Sequence, residues 1–355
     1  MKIIAFYLPQ FHEIEENNQW WGKGFTDWTN VKKAKPLFPK HHQPNEPLND
    51  NYYNLLDNKT MQWQANIAQQ YGVYGFCYYH YWFKGKKLLE KPLDKMLLDP
   101  EITIPFCFSW ANEPWTRAWD GQDEDILMYQ DYGDINDWKA HFDYLLPFFL
   151  DKRYMYEQGK PIFLIYRTSN IPQLDQMLAL WDMLAKQAGL KGIYLVETLS
   201  SFQNKPYATH SNAVVEFEPN FTAHDKLSFI DKVFVKLIPM VTGVSIQRYD
   251  LYWKFILNRI PTIVSNRQTI PGAFINWDNT PRKGKKGLVF LGASPKKFEK
   301  YLSLQLKRAK SVYKSSFVFI NAWNEWAEGS YLEPDKKYQY QMLEALQSAL
   351  AKSEK

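Results

Sequence analysis

The chain has 355 residues, a length that accommodates one large α/β barrel or two modest domains, and 45% of them are apolar. Its formal net charge is only +5, and no nucleic-acid-binding motif accompanies its basic residues, so a nucleic-acid partner is not expected. No apolar run reaches the length of a membrane-spanning helix, and the first residues lack the features of a secretory signal, which favours a cytoplasmic protein.

Short apolar runs alternate with segments of helical periodicity along the chain. The predicted strands are residues 3–8, 73–79, 104–109, 161–166, 192–197, 213–217, 272–276 and 317–320. The predicted helices are residues 60–71, 88–98, 135–150, 173–188, 295–314 and 336–351, with another that begins near residue 248. The segment 10–58 is too long for a plain connection, so we expect it to be functional or to carry local structure.

Eight strands separated mostly by helices predict a parallel sheet closed into a single (β/α)₈ barrel of the TIM type, formed by residues 1–355, with long loops at its C-terminal face. A doubly wound open sheet is the alternative, but it would need a glycine-rich phosphate turn after an early strand. The residues that follow the first strand, Leu8-Pro9-Gln10-Phe11-His12, contain no glycine.

Polar and acidic residues recur just after the predicted strands. In a barrel these strand ends converge on one face, so residues far apart in sequence are expected to surround one pocket. They are His12, His80, Asn112, Glu113, Glu197, Glu216, Glu218, Asp278, Glu325 and Glu328.

The last predicted strand runs directly into an acidic and aromatic segment. Glu325 and Glu328 are three residues apart, so a helical turn after the strand would place both on one side. Cleavage of a glycosidic bond needs two carboxyl groups with split roles, and repulsion and burial against Trp323 and Trp326 would raise the pKa of one of them. The alternative is an exposed acidic turn. Glu333 is a weaker supporting candidate.

A second candidate cluster follows the third predicted strand. We interpret Asn112 and Glu113 as a substrate clamp beside Trp110 and Trp115, with Arg117 available for a carboxylate or phosphate on a glycan. Glu113 also competes for the role of catalytic acid, and the pair could instead hold the loop by hydrogen bonds. Asp27 and His80 are predicted to bind sugar hydroxyls, although each could instead be a hydrogen bonder that ties its loop. Further predicted substrate contacts are His12, Trp28, Trp323, Asn324 and Trp326.

Neither a metal nor a cofactor is predicted. His12, His41, His42 and His80 show no spacing typical of a metal site. The basic cluster Arg282, Lys283, Lys285 and Lys286 is interpreted as a solvated loop, like the other lysine clusters.

Residues 324–333, Asn-Glu-Trp-Ala-Glu-Gly-Ser-Tyr-Leu-Glu, resemble the Asn-Glu-Trp-X-Glu-Gly-X-X-X-Glu signature of the endo-α-mannosidase glycoside hydrolases of family 99. Together with Ala-Phe-Tyr-Leu-Pro-Gln-Phe-His at 5–12, Gly-Phe-Thr-Asp-Trp at 24–28 and Phe-Ser-Trp-Ala-Asn-Glu at 108–113, the whole chain is similar to the WbsX family. That family is found with bacterial surface-polysaccharide synthesis, and its members are labelled glycosyltransferases or GH99-like proteins.

The resemblance implies a (β/α)₈ barrel and a metal-free site. It implies that Glu325 is the base that helps the 2-hydroxyl of the sugar attack the anomeric carbon, with retention, and that Glu328 is the acid and then the base. Where the mannosidases usually have His between Trp and the second Glu, this chain has Ala327, which affects the expected sugar specificity more than the two acids.

The sequence therefore predicts a retaining glycoside hydrolase or transglycosylase that acts on an oligosaccharide or polysaccharide, including a lipid-linked precursor at the inner face of the membrane. A nucleotide-sugar glycosyltransferase is the alternative, although no metal-binding Asp-X-Asp motif or nucleotide cradle supports it. A barrel that binds glycans without turnover is the third hypothesis.

Overall fold

A computed structural model describes residues 1–117, 122–224, 243–262 and 266–354. Among these residues, nine parallel strands form the central sheet. They are β1 (Lys2–Tyr7), β2 (Gly75–Phe83), β3 (Phe106–Trp110), β4 (Lys160–Ile165), β5 (Tyr194–Leu199), β6 (Ala213–Glu216), β7 (Gln268–Ile270), β8 (Gly272–Phe274) and β9 (Phe317–Asn321).

The sheet curls into a nearly closed barrel. Strands β1 to β6 pair in chain order, β6 pairs with β7, β8 pairs with β9, and β9 returns to β1 with Lys2 opposite Phe317. Strands β7 and β8 are separated only by Pro271, whose carbonyl accepts a bond from the Phe319 N–H. Because proline lacks an N–H, it interrupts the ladder inside what is otherwise one strand position. The predicted eight-strand TIM-type barrel is confirmed.

Helices surround the barrel, as the alternation of the sequence predicts. They are α1 (Glu15–Trp21), α2 (Asp27–Lys33), α3 (Asn58–Gln70), α4 (Lys91–Leu98), α5 (Ile135–Phe149), α6 (Leu174–Gln187), α7 (Asn220–His224), α8 (Tyr249–Asn258), α9 (Thr280–Lys283), α10 (Pro295–Arg308) and α11 (Gln341–Glu354). Each long helix buries an apolar stripe on the sheet; for α5 that stripe includes Trp138, Phe142 and Leu145. None of the helices in the described ranges is long and apolar enough to cross a membrane.

The segment 10–58 carries local structure, as predicted. It contains α1, α2 and a one-turn 3₁₀ helix, Leu48–Asp50. Four short strand pairs decorate the barrel: Lys86–Leu88 with β2, Tyr156–Glu157 with β4, Trp115–Arg117 with Gln122–Met128, and Ser245–Arg248 with Leu288–Leu291. A fifth pair, Asn324–Glu325 with Ser330–Tyr331, folds the chain back just after β9.

Candidate active site

A cleft of about 710 Å³ opens where the barrel strands end. Tyr79 and Tyr81 reach it from β2, Tyr166 follows β4, and Phe217 follows β6. The other aromatic walls are Trp21, Trp115, Phe202 and Trp277, and the polar groups include Glu113, Arg167, Asn220, Arg282, Lys283, Glu325 and Glu328. Aromatic faces around a few convergent polar groups are what a saccharide site requires.

One guanidinium joins three carboxylates at the floor of this cleft. Arg282 Nη1 donates to Glu328 Oε1 at 2.7 Å, and Nη2 donates to Glu325 Oε2 at 3.1 Å. Asp27, on α2, receives Nη2 at 3.2 Å and Nε at 3.4 Å. The Arg282 side chain is only 9% exposed, so this network is largely withdrawn from water. The contacts hold Glu325 and Glu328 on two adjacent nitrogens of one planar group.

The local fold explains why both acids face the same way. Residues 324–331, called the acid loop here, pair Asn324–Glu325 with Ser330–Tyr331 around a one-turn 3₁₀ helix, Trp326–Glu328. Gly329 closes that turn with a φ of +62°, and a Cβ there would meet Asp278 at 2.9 Å. Glycine fits both the left-handed backbone and the close approach. The helical turn expected between the two acids is present as a 3₁₀ turn.

Asp278 fastens the acid loop to its neighbours. Its Oδ1 accepts bonds from the Thr280 N–H and hydroxyl at the start of α9, while its Oδ2 receives Gln43 at 2.7 Å and contacts His41 Nε2 at 2.8 Å. The Asp278 N–H donates to the Glu328 carbonyl at 2.6 Å. Because α9 carries Arg282, Asp278 orients both the guanidinium and the loop that it binds.

Burial and mutual repulsion favour a retained proton at the acid pair. Burial raises the pKa of Glu325 to about 8, with repulsion by Glu328 and Asp27 in the same direction and attraction by Arg282 against it. Burial also raises the pKa of Glu328, again opposed by Arg282. Since three carboxylates share one guanidinium, these shifts favour a pair that keeps a proton near neutrality.

Glu113 and Arg167 form an ion pair on another wall of the cleft. Burial raises the pKa of Glu113, and Arg167 opposes that shift. The Asn112 amide holds the Arg167 backbone by two bonds of 2.7 and 2.8 Å, so Asn112 ties the loop and does not line the cleft. Phe202 covers the guanidinium, whose carbon lies 4.1 Å from the ring centroid.

Of the residues that the sequence singles out, four line the cleft: Glu113, Trp115, Glu325 and Glu328. Asp27 reaches it through Arg282. His80 and Trp110 do not, because alternate residues of a strand point to opposite faces. Tyr79 and Tyr81 point inward, whereas His80 packs outward with its Nε2 2.8 Å from that of His141 on α5. The Trp110 ring packs against His141 as well, with centroids 4.7 Å apart.

Several predicted contacts lie behind the acid loop instead of in the cleft. Asn324 clasps the Leu8 backbone with bonds of 2.7 and 3.0 Å, and Glu333 accepts bonds from Tyr53, Gln64 and Trp326. Burial raises the pKa of Glu333 to about 7, and these donors oppose the shift. Trp28, Trp323 and Trp326 are buried packing residues there, and His12 is fully buried. These positions support the loop.

The structure shows the partners of two further sets of predicted residues. Arg117, predicted to meet an anionic group on the glycan, binds Asp125 of the neighbouring strand at 2.8 Å. Glu197, Glu216 and Glu218 do not line the cleft, because other side chains hold them elsewhere: Thr168 and Ser211 bind Glu197, while Arg259 binds the other two.

Sequence reasoning missed Arg282, Tyr79, Tyr81, Tyr166 and Trp277. Arg282 was predicted to lie in a solvated basic loop; that is wrong for Arg282, although Lys285 and Lys286 are exposed. The available signal was its position shortly after a barrel strand, where function concentrates. The two β2 tyrosines follow from strand alternation once His80 is placed outside.

The family model described as Glycosyltransferase WbsX matches residues 3–346. The chain belongs to the WbsX family. It is 36% identical over 355 residues to WxcX from Xanthomonas campestris pv. campestris (strain B100), an alignment that covers 99% of this chain and 50% of that protein. The chain thus spans about half the length of the curated relatives that it matches.

Solved structures show the same fold as this WbsX member. A protein described as glycoside hydrolase-like has a TM-score of 0.58 at 14% identity and covers 98% of this chain and 93% of its own. The GH99 endo-alpha-mannosidase from Bacteroides thetaiotaomicron has a TM-score of 0.55 at 13% identity, with 99% and 97% covered. Together with the family, this fold supports a carbohydrate-active enzyme. No group of three metal-binding side chains occurs in the part of the chain that the structure describes.

Proposed function

We propose that this chain is a retaining glycoside hydrolase or transglycosylase of GH99 type that acts on glycosidic bonds of a bacterial surface polysaccharide or its precursor. The observation that carries the proposal is the pair Glu325 and Glu328, bound to Arg282 at the floor of an aromatic cleft. The WbsX description and the fold shared with a mannosidase support the same class.

In the reactive form the single proton of the coupled pair lies on Glu328 and Glu325 is ionised. Glu325 then takes the proton of the sugar's 2-hydroxyl while that oxygen forms a bond to the anomeric carbon. The bond from the anomeric carbon to the leaving oxygen breaks, and Glu328 donates its proton to that oxygen. In the second half, Glu328 takes a proton from water or from an acceptor hydroxyl as this group attacks the anomeric carbon. The ring-closing bond breaks and Glu325 returns its proton, so two inversions give net retention.

Turnover of a panel of aryl glycosides tests the proposal. Glu328→Gln and Glu325→Gln should each lower kcat about 100-fold or more, because each removes one half of the acid–base pair. Glu344→Gln, an exposed acid on α11, is the control and should leave turnover unchanged. Wild-type turnover that survives both cleft substitutions would sink the proposed roles. Glycan binding without turnover of any glycoside would instead indicate a binding protein.

A nucleotide-sugar glycosyltransferase is the second candidate, and the description of the family favours it. Such an enzyme must bind the nucleotide, so thermal unfolding with UDP- and GDP-sugars separates the two hypotheses. A ligand that binds only the folded state raises Tm, by an amount that grows with its concentration. A clear rise with one nucleotide sugar would place transfer ahead of hydrolysis, whereas the retaining hydrolase predicts no rise. A lipid-linked substrate at the inner face of the membrane remains part of either proposal.

A further inference from the structure

A second concave surface lies on the flank of the barrel, separate from the cleft. It consists of two adjoining hollows of about 370 and 520 Å³ that share Trp63 and Tyr340. One hollow continues along α3 to Tyr71, and the other lies against Trp326 and Glu333 on the back of the acid loop. We call the two hollows together the flank groove.

Helix α3 presents an uncommon face to this groove. Six of its 13 residues are Asn or Gln, and none is acidic. Lys59, Gln62, Trp63, Asn66 and Gln70 follow helical spacing along one side and line the groove. An ordinary solvated helix face carries mixed lysines and glutamates. Here amides, which both donate and accept hydrogen bonds, alternate with an aromatic ring.

The aromatic and charged groups point to the class of ligand. Tyr340 is 36% exposed and stacks on Tyr71 with centroids 6.2 Å apart, so both rings extend the surface begun by Trp63. The charged groups on the rim of the groove nearly cancel. Lys59 contributes a positive charge, and the negative charge of Asp50 is neutralised by Lys336 at 2.6 Å. The Glu333 carboxyl is buried and accepts hydrogen bonds from three side chains. A neutral surface of rings and amides suits an uncharged sugar better than a nucleotide or a membrane.

We propose that the flank groove is a second glycan-binding site, which holds a neutral saccharide chain by stacking on Trp63 and Tyr340 and by hydrogen bonds to the α3 amides. Trp326 separates this groove from the cleft, since it lines the groove while Glu325 and Glu328, on either side of it in the sequence, line the cleft. A polymer bound in the groove therefore stays close to the cleft, which raises its effective concentration there. The ligand class rests on the proposed function, but binding in the groove requires no cleavage.

The test uses a printed array of neutral bacterial oligosaccharides and the labelled full chain with Glu328→Gln, in which turnover of a bound glycan should be at least about 100-fold slower. Trp63→Ala and Tyr340→Ala should each weaken binding about tenfold, because each removes a stacking surface. Tyr129→Ala removes an aromatic residue that is 74% exposed and outside the groove, and should leave binding unchanged. In an otherwise wild-type chain, Trp63→Ala should keep turnover of short aryl glycosides.

Some results would overturn the site. The first is an array on which no glycan is bound, and the second is equal binding by the parent chain, Trp63→Ala and Tyr340→Ala. The third is a loss of glycan binding in Trp277→Ala alone, because Trp277 lines the cleft. Should Trp63→Ala lower Tm, the exposed Asn66→Ala replaces it and should still weaken binding. A wild-type chain that turns over no glycoside yet binds the array through Trp63 would refute the proposed cleavage and support the groove.

Discussion

At the scale of single residues, the acid pair and Arg282 behave as one titrating unit. Removing Arg282 leaves buried carboxylates without their partner, which is costly, whereas removing either glutamate relieves repulsion and leaves Arg282 paired. The two carboxyls interact strongly, so their apparent pKa values belong to the pair and not to either residue. The proposed mechanism requires the form of the pair that holds a single proton.

The pH dependence of kcat/KM should be bell-shaped, with a falling limb near pH 8 where the pair loses its last proton. That limb follows from the pKa of Glu325, which burial and Glu328 raise to about 8. In Glu328→Gln the repulsion is gone, so the pKa of Glu325 falls. On an aryl glycoside with a good leaving group, the residual activity should rise with pH and then stay level. A falling limb near pH 8 in this variant would contradict the assignment.

Arg282 and Asp27 should shift that limb in opposite directions. Arg282→Gln removes the positive charge, so the pair keeps its proton to higher pH, and kcat/KM falls about 100-fold as the acids lose their alignment. Asp27→Asn removes a negative charge and moves the limb to lower pH. The measurement is the pH profile of each variant, with exposed Lys285→Gln as control. Arg282→Lys keeps the charge and should restore the position of the limb. A shift of the limb in the same direction and by the same amount in Arg282→Gln and Asp27→Asn would contradict the electrostatic explanation and indicate that both variants have lost folded structure.

At the scale of elements, the cleft depends on how two short segments are held together. Helix α9 has four residues and the acid loop has one 3₁₀ turn, so neither is stable alone. Asp278 stabilises both segments by hydrogen bonds to Thr280, Gln43, His41 and the Glu328 carbonyl.

Asp278→Asn should lower kcat more than it raises KM. An amide offers one acceptor oxygen where the carboxylate offers two, so His41 or Gln43 loses its partner, at about 1–3 kcal/mol of stability. Arg282 then shifts relative to the acids. The control is Asp134→Ala, which removes the cap of α5 at the cost of about 1 kcal/mol and does not line the cleft. Steady-state kinetics and thermal unfolding of Asp278→Asn and Asp134→Ala measure the two effects. If Asp134→Ala lowers kcat as much as Asp278→Asn does, general destabilisation explains the loss of activity in both variants.

Sequence patterns predicted these elements better than the contacts between them. Strand β9 and the acids after it follow from an apolar run that breaks into carboxylates. The outward direction of His80 was also readable, because it alternates with Tyr79 and Tyr81 on β2. Arg282 was not, because three lysines follow it closely and the acids that neutralise it come from segments 255 and 43 residues away in the chain. Burial of a charge is a property of the fold and leaves no local pattern.

At the scale of the whole molecule, two sets of buried groups oppose each other as pH changes. His12 and His80 are buried, which lowers their pKa values from 6.5 to about 4 and about 3. The unfolded chain therefore binds more protons than the folded chain below about pH 6.5, and stability falls as pH drops. Glu325 and Glu333 have pKa values raised from 4.5 to about 8 and about 7. For them the folded chain binds more protons, and stability falls as pH rises through that interval.

The two intervals overlap between pH 4.5 and 6.5, where the opposing effects offset each other, so the free energy of unfolding should be greatest in this range. The decline at higher pH should belong to the buried glutamates. Glu325→Gln removes one raised pKa, so its Tm should fall less steeply than that of the wild type between pH 6 and about 8, while the acid side stays parallel. Glu333→Gln should do the same up to about pH 7. Thermal unfolding from pH 4 to 9 measures this. Parallel curves for wild type and Glu325→Gln above pH 6 would show that the acid pair takes up no proton when the barrel folds, and the single-proton form of the pair would have to be abandoned.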